Sequence, residues 1–397
     1  MNVRYILFLI LGLDALTLIF QSGELSISYY EALLVSGDFS FLQLLIKSSI
    51  FIFGQNDYAL RLPMIALHLS SAILLFKISK NYLKVERNRL WLLLIFILLP
   101  GVMSSAIIVN SAGLILFALL LFVYVHENHS IKTTYILLFC YMLIEGSFAI
   151  LFVALALFSL YKKERNNFLF SAALFFGSLL LYGIDTHGSP KGYFIDSIGI
   201  YAAIFSPIIF IYLVYVLYRR YLTKDLDILW FIATVALVFS LLLSFRQRIT
   251  IEYFAPYLIL ALPLVAQTFE HSYRVRLDLF RKKYRWVFVI SLALLFVNSS
   301  VMFFNKYLYQ IVKEPKKHFS YNMHIAKELS KELKSRDIYC VNTDKKMQKR
   351  LEFYGVTKCN NLILRENSLN FIKTDGVTIS YINRVVYNAS VTNLNIN

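Results

Sequence analysis

The feature that most limits how this chain can fold is a series of apolar stretches, most of them close to the length that crosses a lipid bilayer. A helix needs about 20 apolar residues to span the hydrocarbon core, because each residue advances it by about 1.5 Å. The stretches cover residues 4–20, 59–79, 90–106, 108–126, 133–146, 148–161, 168–183, 199–218, 227–244, 251–268 and 286–304. The sequence therefore predicts an all-α polytopic membrane bundle of about eleven transmembrane helices.

The composition agrees with a membrane protein and argues against nucleic acid as a partner. Hydrophobic residues make up 58% of the 397 residues and charged residues only 16%, whereas soluble domains average about 45–50% and about 25%. The net charge of +16 fits Lys and Arg residues that hold loops on the cytoplasmic side. Outside the ends of the spans, no basic run carries the interleaved aromatic residues that single-stranded nucleic acid binding uses.

Charge also predicts the orientation of the chain. If the N-terminus is cytoplasmic, the inner segments carry nineteen Lys and Arg residues. The short outer loops then carry only five, which are Lys47, Arg61, Lys191, Arg246 and Arg248. The positive-inside rule thus favours a cytoplasmic N-terminus. An odd number of spans then places the C-terminus outside, in the periplasm if the membrane is a bacterial inner membrane.

The last part of the chain has a different character. Residues 1–304 form the predicted membrane module, and residues 305–397 contain no apolar run long enough to span. Apolar spacing predicts helices over 324–333 and 346–353, and β-rich runs predict strands at 337–341, 361–364 and 377–381. We therefore expect a small extracytoplasmic α/β domain.

The cysteines leave two states open, a disulfide or two unpaired thiols, and they predict no zinc site. Cys340 and Cys359 both lie in the C-terminal domain, and in an oxidising compartment they would be free to pair. The chain has no Cys-x-x-Cys motif or Cys/His cluster of the kind that binds structural zinc. The sequence calls for no organic cofactor and leaves a divalent metal open.

Polar residues on the predicted outer side are the candidates for chemistry. The first outer loop, about 21–57, is long for a connection, and its apolar middle, 41–53, predicts a helix lying along the membrane surface. The acidic candidates are Glu24, Glu31, Asp38, Glu145 and Asp185, and the basic ones are Arg246 and Arg248. A carboxylate can take a proton from an attacking hydroxyl, and an arginine can bind a phosphate with two hydrogen bonds. The same residues are equally typical of solvated loops and of the charged ends of spans.

Four segments carry a resemblance to a known family. They read Ser28-Tyr29-Tyr30-Glu31-Ala32, Phe51 to Pro63 with the motif Gly54-x-x-x-x-Ala59-Leu60-Arg61-Leu62-Pro63, Arg248-x-x-x-x-Tyr253-x-x-Pro256, and Leu351-Glu352-Phe353-Tyr354-Gly355. This pattern resembles the GT-C membrane glycosyltransferases, especially the protein O-mannosyltransferases and lipid A aminoarabinose transferases. The family usually carries an Asp-Glu pair in the first loop and often an Asp where the fourth span opens. At those two places this chain reads Ser26-Ile27-Ser28 and Asn110-Ser111-Ala112-Gly113.

The resemblance implies transfer of a sugar from a polyprenyl-phosphate donor on the outer face of the membrane. The acceptor would be a lipid, a glycan or a protein. Glu31 or Glu24 would then activate the acceptor, with Tyr30 as a further candidate beside them. Arg246 and Arg248 would bind the donor phosphate, with Arg61 assisting at the start of the second span.

Two other classes of function remain open at this point. A lipid-linked-sugar transporter or flippase would be expected to show paired repeats and midplane polar residues, whereas no internal repeat is evident here and the polar residues gather at one face. A non-catalytic or diverged membrane assembly protein would explain the missing family acids. A nucleotide-sugar enzyme is disfavoured, because the cytoplasmic loops contain no Gly-x-x-x-x-Gly-Lys-[Ser/Thr] phosphate loop.

Overall fold

The structure is a computed structural model that describes residues 3–37, 39–183, 192–367 and 376–393. The first nine helices are α1 (Val3–Glu24), α2 (Tyr29–Ser36), α3 (Phe41–Phe53), α4 (Asp57–Ile78), α5 (Glu86–Leu98), α6 (Pro100–Ile107), α7 (Ser111–Asn128), α8 (Ile131–Ile144) and α9 (Ala149–Lys162). The next are α10 (Arg165–Tyr182), α11 (Phe194–Phe205), α12 (Pro207–Thr223), α13 (Ile228–Ser244), α14 (Ala255–Ile259), α15 (Leu262–Val275), α16 (Asp278–Phe303), α17 (Ala326–Ser335) and α18 (Lys345–Phe353). The strands are β1 (Leu362–Glu366), β2 (Gly376–Tyr381) and β3 (Arg384–Asn393).

Every predicted apolar stretch falls largely on helix, but two of them bend sharply at a proline. The axis turns by 61° between α5 and α6, where Pro100 begins the second helix, and by 106° between α11 and α12, where Pro207 does. Proline has no backbone N–H and restricts the residue before it, so a helix ends there. The unbroken stretch predicted over 199–218 is therefore wrong as a single straight helix.

The apolar helices make this an integral membrane protein with a helical bundle. Within the described residues, four helices are long and apolar enough to cross a membrane, and the number rises to seven if each of three bent pairs is one span. Three further apolar helices are shorter, at 10–17 residues. The count of eleven spans stays a prediction.

By its internal contacts the chain divides into two compact units. The first unit comprises Met1–Ala15, Met64–Ala106 and Asn110–Ser299, and the second comprises Leu16–Pro63, Ile107–Val109 and Ser300–Asn397. The first unit has a large buried apolar core built from helices α4 to α16. A polar pair is also buried in it, because Nε2 of His68 lies 2.8 Å from Oδ2 of Asp14. Ionisable residues within membrane helices usually pair with one another inside the bundle, as these two do.

The second unit contains the predicted small α/β fold. Leu329 and Leu333 of α17 and Leu351 of α18 pack with Val377 of β2 in its core. The sheet is antiparallel with strand order β1-β3-β2. The predicted helices over 324–333 and 346–353 appear as α17 and α18.

Two strand predictions in this unit need correction. Residues 337–341 form no strand, and only isolated bridges from Cys340 to Thr357 and from Asn342 to Ile363 are present there. Strand β3 was not predicted. It follows β2 through Ile382 and Asn383, which both have positive φ angles (50° and 61°). Two such residues form the tight turn whose twist matches an antiparallel hairpin.

The helix predicted over 41–53 is present as α3. The side chain of Ser40 accepts a hydrogen bond from the backbone N–H of Gln43 at its start, and Gly54 ends it with a φ of +81°. Phe51, Ile52 and Phe53 at its end are exposed. That exposure suits a helix in contact with lipid, and its position on the membrane surface stays a prediction.

Of the two states that the sequence left open for Cys340 and Cys359, the structure shows the disulfide. Cys340 and Cys359 are bonded, with their Cα atoms 5.4 Å apart. The bond links the segment before α18 to the segment before β1. The same two segments are joined by the bridge from Cys340 to Thr357.

We expect a Cys340→Ser/Cys359→Ser variant to lose about 3 kcal/mol in the free energy of unfolding, because the disulfide closes a loop of about 20 residues. The measurement is the thermal unfolding of the purified protein, monitored by the loss of protease resistance in the C-terminal domain. Cys140→Ser is the control, since Cys140 is a free cysteine. Equal melting temperatures for the two variants would argue against a stabilising role for the disulfide.

Candidate functional site

Arg61 lies in the first turns of α4 and is fully buried, with 0% exposure. Its Nη1 donates to the backbone oxygens of Ser22 and Leu25 at 2.8 Å, and its Nη2 donates to the backbone oxygen of Ser26 at 3.0 Å. These bonds hold the chain between α1 and α2. Its guanidinium is thus bonded to the protein backbone and does not face solvent, which disfavours Arg61 as a ligand of the donor phosphate. That role stays a prediction.

Glu31 is also fully buried, and its carboxylate is used on both sides. Its Oε2 accepts from the backbone N–H of Ser28 at 2.7 Å and lies 3.4 Å from Nη2 of Arg61. Its Oε1 accepts from the backbone N–H of Val109 at 3.0 Å. Ser28 and Glu31 form a capping box at the start of α2. This arrangement gives Glu31 a structural role, and the prediction that it acts as a base has no support from the geometry.

Asp57 completes the buried cluster of charges in the second unit. Its Oδ1 accepts from the hydroxyl of Tyr354 at 2.6 Å, and its Oδ2 lies 2.9 Å from Nζ of Lys327. The Tyr354 hydroxyl in turn accepts from the backbone N–H of Ile27 at 2.8 Å. Burial and the negative charge of Asp57 raise the pKa of Tyr354, so it stays a neutral donor. The sequence analysis did not single out this contact between residues far apart in the chain.

Glu24 and Tyr30 are the accessible candidates of the second unit. Glu24 is exposed and forms an ion pair with Lys306, whose ammonium group lies 5.2 Å from the ring centre of Tyr381. Tyr30 is 80% exposed. Neither side chain is buried among hydrogen-bond partners as Glu31 and Arg61 are.

An open cavity of about 470 Å³ lies beside Asp57 in the same unit. Lys327, Lys331 and Lys334 line it from one face of α17, together with Tyr354. Residues four and three positions apart share a face of a helix, which explains why these three lysines converge. Asp57 and Glu352 also line the cavity, so its three lysines leave the lining with one net positive charge.

Glu145 has a different environment, in the first unit. It follows the last residue of α8 and is half-buried, and its Oε2 accepts from Oγ of Ser111 at 3.3 Å. Ser111 is the first residue of α7. No other donor to this carboxylate lies among the residues that the structure describes. Glu145 therefore keeps an oxygen available for a substrate.

Arg246 and Arg248 lie in the turn after α13 and are both exposed. Across residues 3–37, 39–183, 192–367 and 376–393, no carboxylate forms an ion pair with either of them. The segment that follows them is anchored next to Glu145, because the hydroxyl of Tyr257 in α14 donates to the backbone oxygen of Ser147 at 2.9 Å. The chain that follows Arg246 and Arg248 is thus anchored at the turn that carries Glu145, within the first unit.

The remaining candidates cannot be placed. Asp38 and Asp185 lie outside the described residues. No group of three or more His, Cys, Asp or Glu side chains that could hold a metal ion occurs in the described part of the chain.

Comparison with known proteins identifies the fold. No model of a protein family matches the sequence, and no curated protein sequence matches it. The chain is similar in structure to ArnT from Cupriavidus metallidurans, solved as a crystal structure in the apo state. The TM-score is 0.55 at 10% sequence identity, over 98% of this chain and 97% of that one. ArnT is a lipid A aminoarabinose transferase of the GT-C type. The chain therefore shares the fold of ArnT over its whole length, and the resemblance to the GT-C membrane glycosyltransferases is confirmed at the level of the fold.

Proposed function

We propose that this protein is a GT-C-type membrane glycosyltransferase. It moves a sugar from a polyprenyl-phosphate donor to a lipid, glycan or protein acceptor on the outer face of a bacterial inner membrane. The observation that carries the proposal is the fold likeness to ArnT across membrane helices and soluble part together. Fold alone does not fix an activity, so the proposal also requires residues that could perform the reaction.

Glu145 is the best candidate for the base. GT-C enzymes often carry an acid where the fourth span opens, and the resemblance places that position at Asn110 to Gly113. Here the side chain of Asn110 accepts from the backbone N–H of Gly113 and caps α7. The carboxylate of Glu145 reaches Ser111 from the end of α8 instead. This contact supports the proposal that Glu145, which comes from another helix, takes the part of the acid that the family often has there.

Arg246 and Arg248 are the best candidates for the donor phosphate. Both are exposed and pair with no described carboxylate, so their guanidinium groups are available for an external anion. In the reaction the bond between the sugar C1 and the phosphate oxygen breaks, and C1 bonds to the acceptor oxygen. The acceptor proton passes to Glu145, and the arginines stabilise the leaving polyprenyl phosphate.

A direct test supplies the purified protein, in liposomes containing candidate acceptors, with polyprenyl-phosphate monosaccharides that carry a labelled sugar. Catalysis releases polyprenyl phosphate and moves the label to the acceptor. The burial of Glu31 and the absence of the first-loop acid pair favour a second candidate, a non-catalytic assembly protein. That candidate predicts binding of the donor without release of polyprenyl phosphate for any sugar tested.

We expect alkaline phosphatase fused after Asn397 to be active in intact cells. This reporter works only outside the cytoplasm, and the charge bias predicts that the C-terminal domain lies there. Alkaline phosphatase activity in intact cells measures this. The matched control is the same reporter fused after Lys224, which follows α12 and belongs to a predicted inner segment. An inactive fusion after Asn397 together with an active fusion after Lys224 would show the opposite orientation and would contradict a reaction on the outer face.

A further inference from the structure

An apolar cavity of about 380 Å³ lies in the first unit, among α5, α12, α15 and α16. Trp91, Phe269, Phe288 and Leu295 are among its wall residues. The ring of Phe288 lies 5.7 Å from that of Trp91 and 5.5 Å from that of Phe269. Walls of this kind favour a hydrocarbon chain over a polar ligand.

The depth of the cavity matches one leaflet of a bilayer. Along α16 it extends from Tyr284 to Leu295, which is about 16 Å at a rise of about 1.5 Å per residue. The hydrocarbon core of a bilayer is about 30 Å thick, so a single leaflet contributes about half of that. The cavity can therefore take one lipid chain from its polar end to the middle of the membrane.

Positive charge surrounds the polar end of the cavity. The guanidinium of Arg276 lies 4.3 Å from the ring centre of Tyr284, and Nη2 of Arg285 donates to the hydroxyl of Tyr273 at 2.9 Å. Tyr273, Tyr284 and Arg285 all line the cavity. Its one acidic lining residue, Glu270, is neutralised by an ion pair with Arg274.

This polar end is separate from the proposed catalytic site. The cavity follows α15 from Leu262 to Tyr273, again about 16 Å along the helix axis. The segment that carries Arg246 and Arg248 precedes the start of α15, and its continuation is anchored at Ser147. A phosphate held near Tyr273 and Tyr284 therefore belongs to the other end of the unit from the donor phosphate.

We propose that this cavity holds one acyl chain of an anionic glycerophospholipid whose phosphate is bound by Arg276 and Arg285. The apolar walls take the chain, and the basic rim selects the negative headgroup. The lipid comes from the leaflet opposite the one that presents the sugar donor. The choice of leaflet rests on the proposed function, whereas the site itself extends beyond the transferase activity.

Native mass spectrometry of the purified protein, loaded with equal amounts of phosphatidylglycerol and phosphatidylcholine, tests the proposal. The wild type should retain phosphatidylglycerol in preference. Arg276→Gln/Arg285→Gln should lower that preference about tenfold or more, because each basic residue near a lipid phosphate contributes separately. The matched control is Lys282→Gln/Lys283→Gln, which removes the same charge from α16 at exposed residues that do not line the cavity, and it should keep the preference.

Variants that fill the cavity distinguish a lipid whose acyl chain lies inside it from a lipid that is held only by charge at the protein surface. Ala266→Trp and Ser291→Phe each add bulk at a lining residue and should abolish retention of both lipids. Two positions are used so that a variant that fails to fold can be set aside. The proposal is overturned if the folded filled variant retains phosphatidylglycerol, or if the lysine control loses the preference as fully as the arginine variant. Preferential retention of added polyprenyl phosphate over phosphatidylglycerol overturns it as well.

Discussion

Arg61→Leu is expected to destabilise the second unit by about 3–5 kcal/mol, the largest effect on stability that we expect from a single side chain. The substitution removes the donors to the backbone oxygens of Ser22, Leu25 and Ser26. It also leaves the carboxylate of Glu31 buried without its positive partner. A buried charge that loses its partner costs far more than an exposed one. The stability of Arg61→Lys should fall between that of the wild type and that of Arg61→Leu. Lysine keeps the positive charge, but a single ammonium cannot replace the planar guanidinium that donates to three carbonyl oxygens.

The measurement is the midpoint of thermal unfolding in detergent, monitored by the loss of protease resistance in the C-terminal domain. Arg365→Leu is the control, since Arg365 is exposed on β1 and its loss should change stability by no more than about 0.5 kcal/mol. Glu31→Gln combined with Arg61→Leu should be less damaging than the sum of the two single changes, because the orphaned charge is gone. Equal stability for Arg61→Leu and Arg365→Leu would contradict the structural role of Arg61.

The membrane helices could be predicted because apolar length alone indicates them. Their interruptions depend on single residues. The Pro100-Gly101 pair is typical of a turn, whereas Pro207 lies inside an apolar stretch and no such pair marks the break there. The preceding Ser206 adopts a φ of +65° there, which no pattern of apolar residues predicts. Strand β3 could have been found from Asn383, since Asn is favoured at the positive φ that a tight hairpin turn requires.

The site was harder to predict because burial decides what a carboxylate does. The capping box of Ser28 and Glu31 is visible as Ser-x-x-Glu in the sequence, and it could have indicated a structural role. The bond from the Val109 N–H to Glu31 and the contact of Asp57 with Tyr354 join residues far apart in the chain. Only the folded chain shows them. Glu145 could be named as a candidate from the sequence, but its approach to Ser111 could not.

Glu145→Gln is expected to lower kcat by about 10²–10⁴-fold, the range that a positioned general base contributes. Glutamine keeps the size of the side chain and can still accept from Ser111, but it cannot take the acceptor proton. The donor KM should change little, because Glu145 acts on the acceptor. Arg246→Lys and Arg248→Lys should do the reverse and raise the donor KM about tenfold, since lysine loses one charge-assisted hydrogen bond to the phosphate.

Initial rates of polyprenyl phosphate release, measured against donor concentration, separate these two effects. Glu127→Gln is the matched control, because Glu127 lies near the other end of α7, about 24 Å along the helix from Ser111. It should leave both kcat and KM at the wild-type values.

Glu24→Gln tests the accessible acid of the first loop in the same assay. If Glu24→Gln abolishes turnover while Glu145→Gln does not, the base lies in the first loop after all and Glu145 is only a partner of Ser111. If neither change lowers kcat, proton transfer by these carboxylates is not part of the reaction. A split in which Glu145 governs kcat and the arginines govern KM would instead place acceptor activation and donor binding on the α8–α9 and α13–α14 turns of one unit.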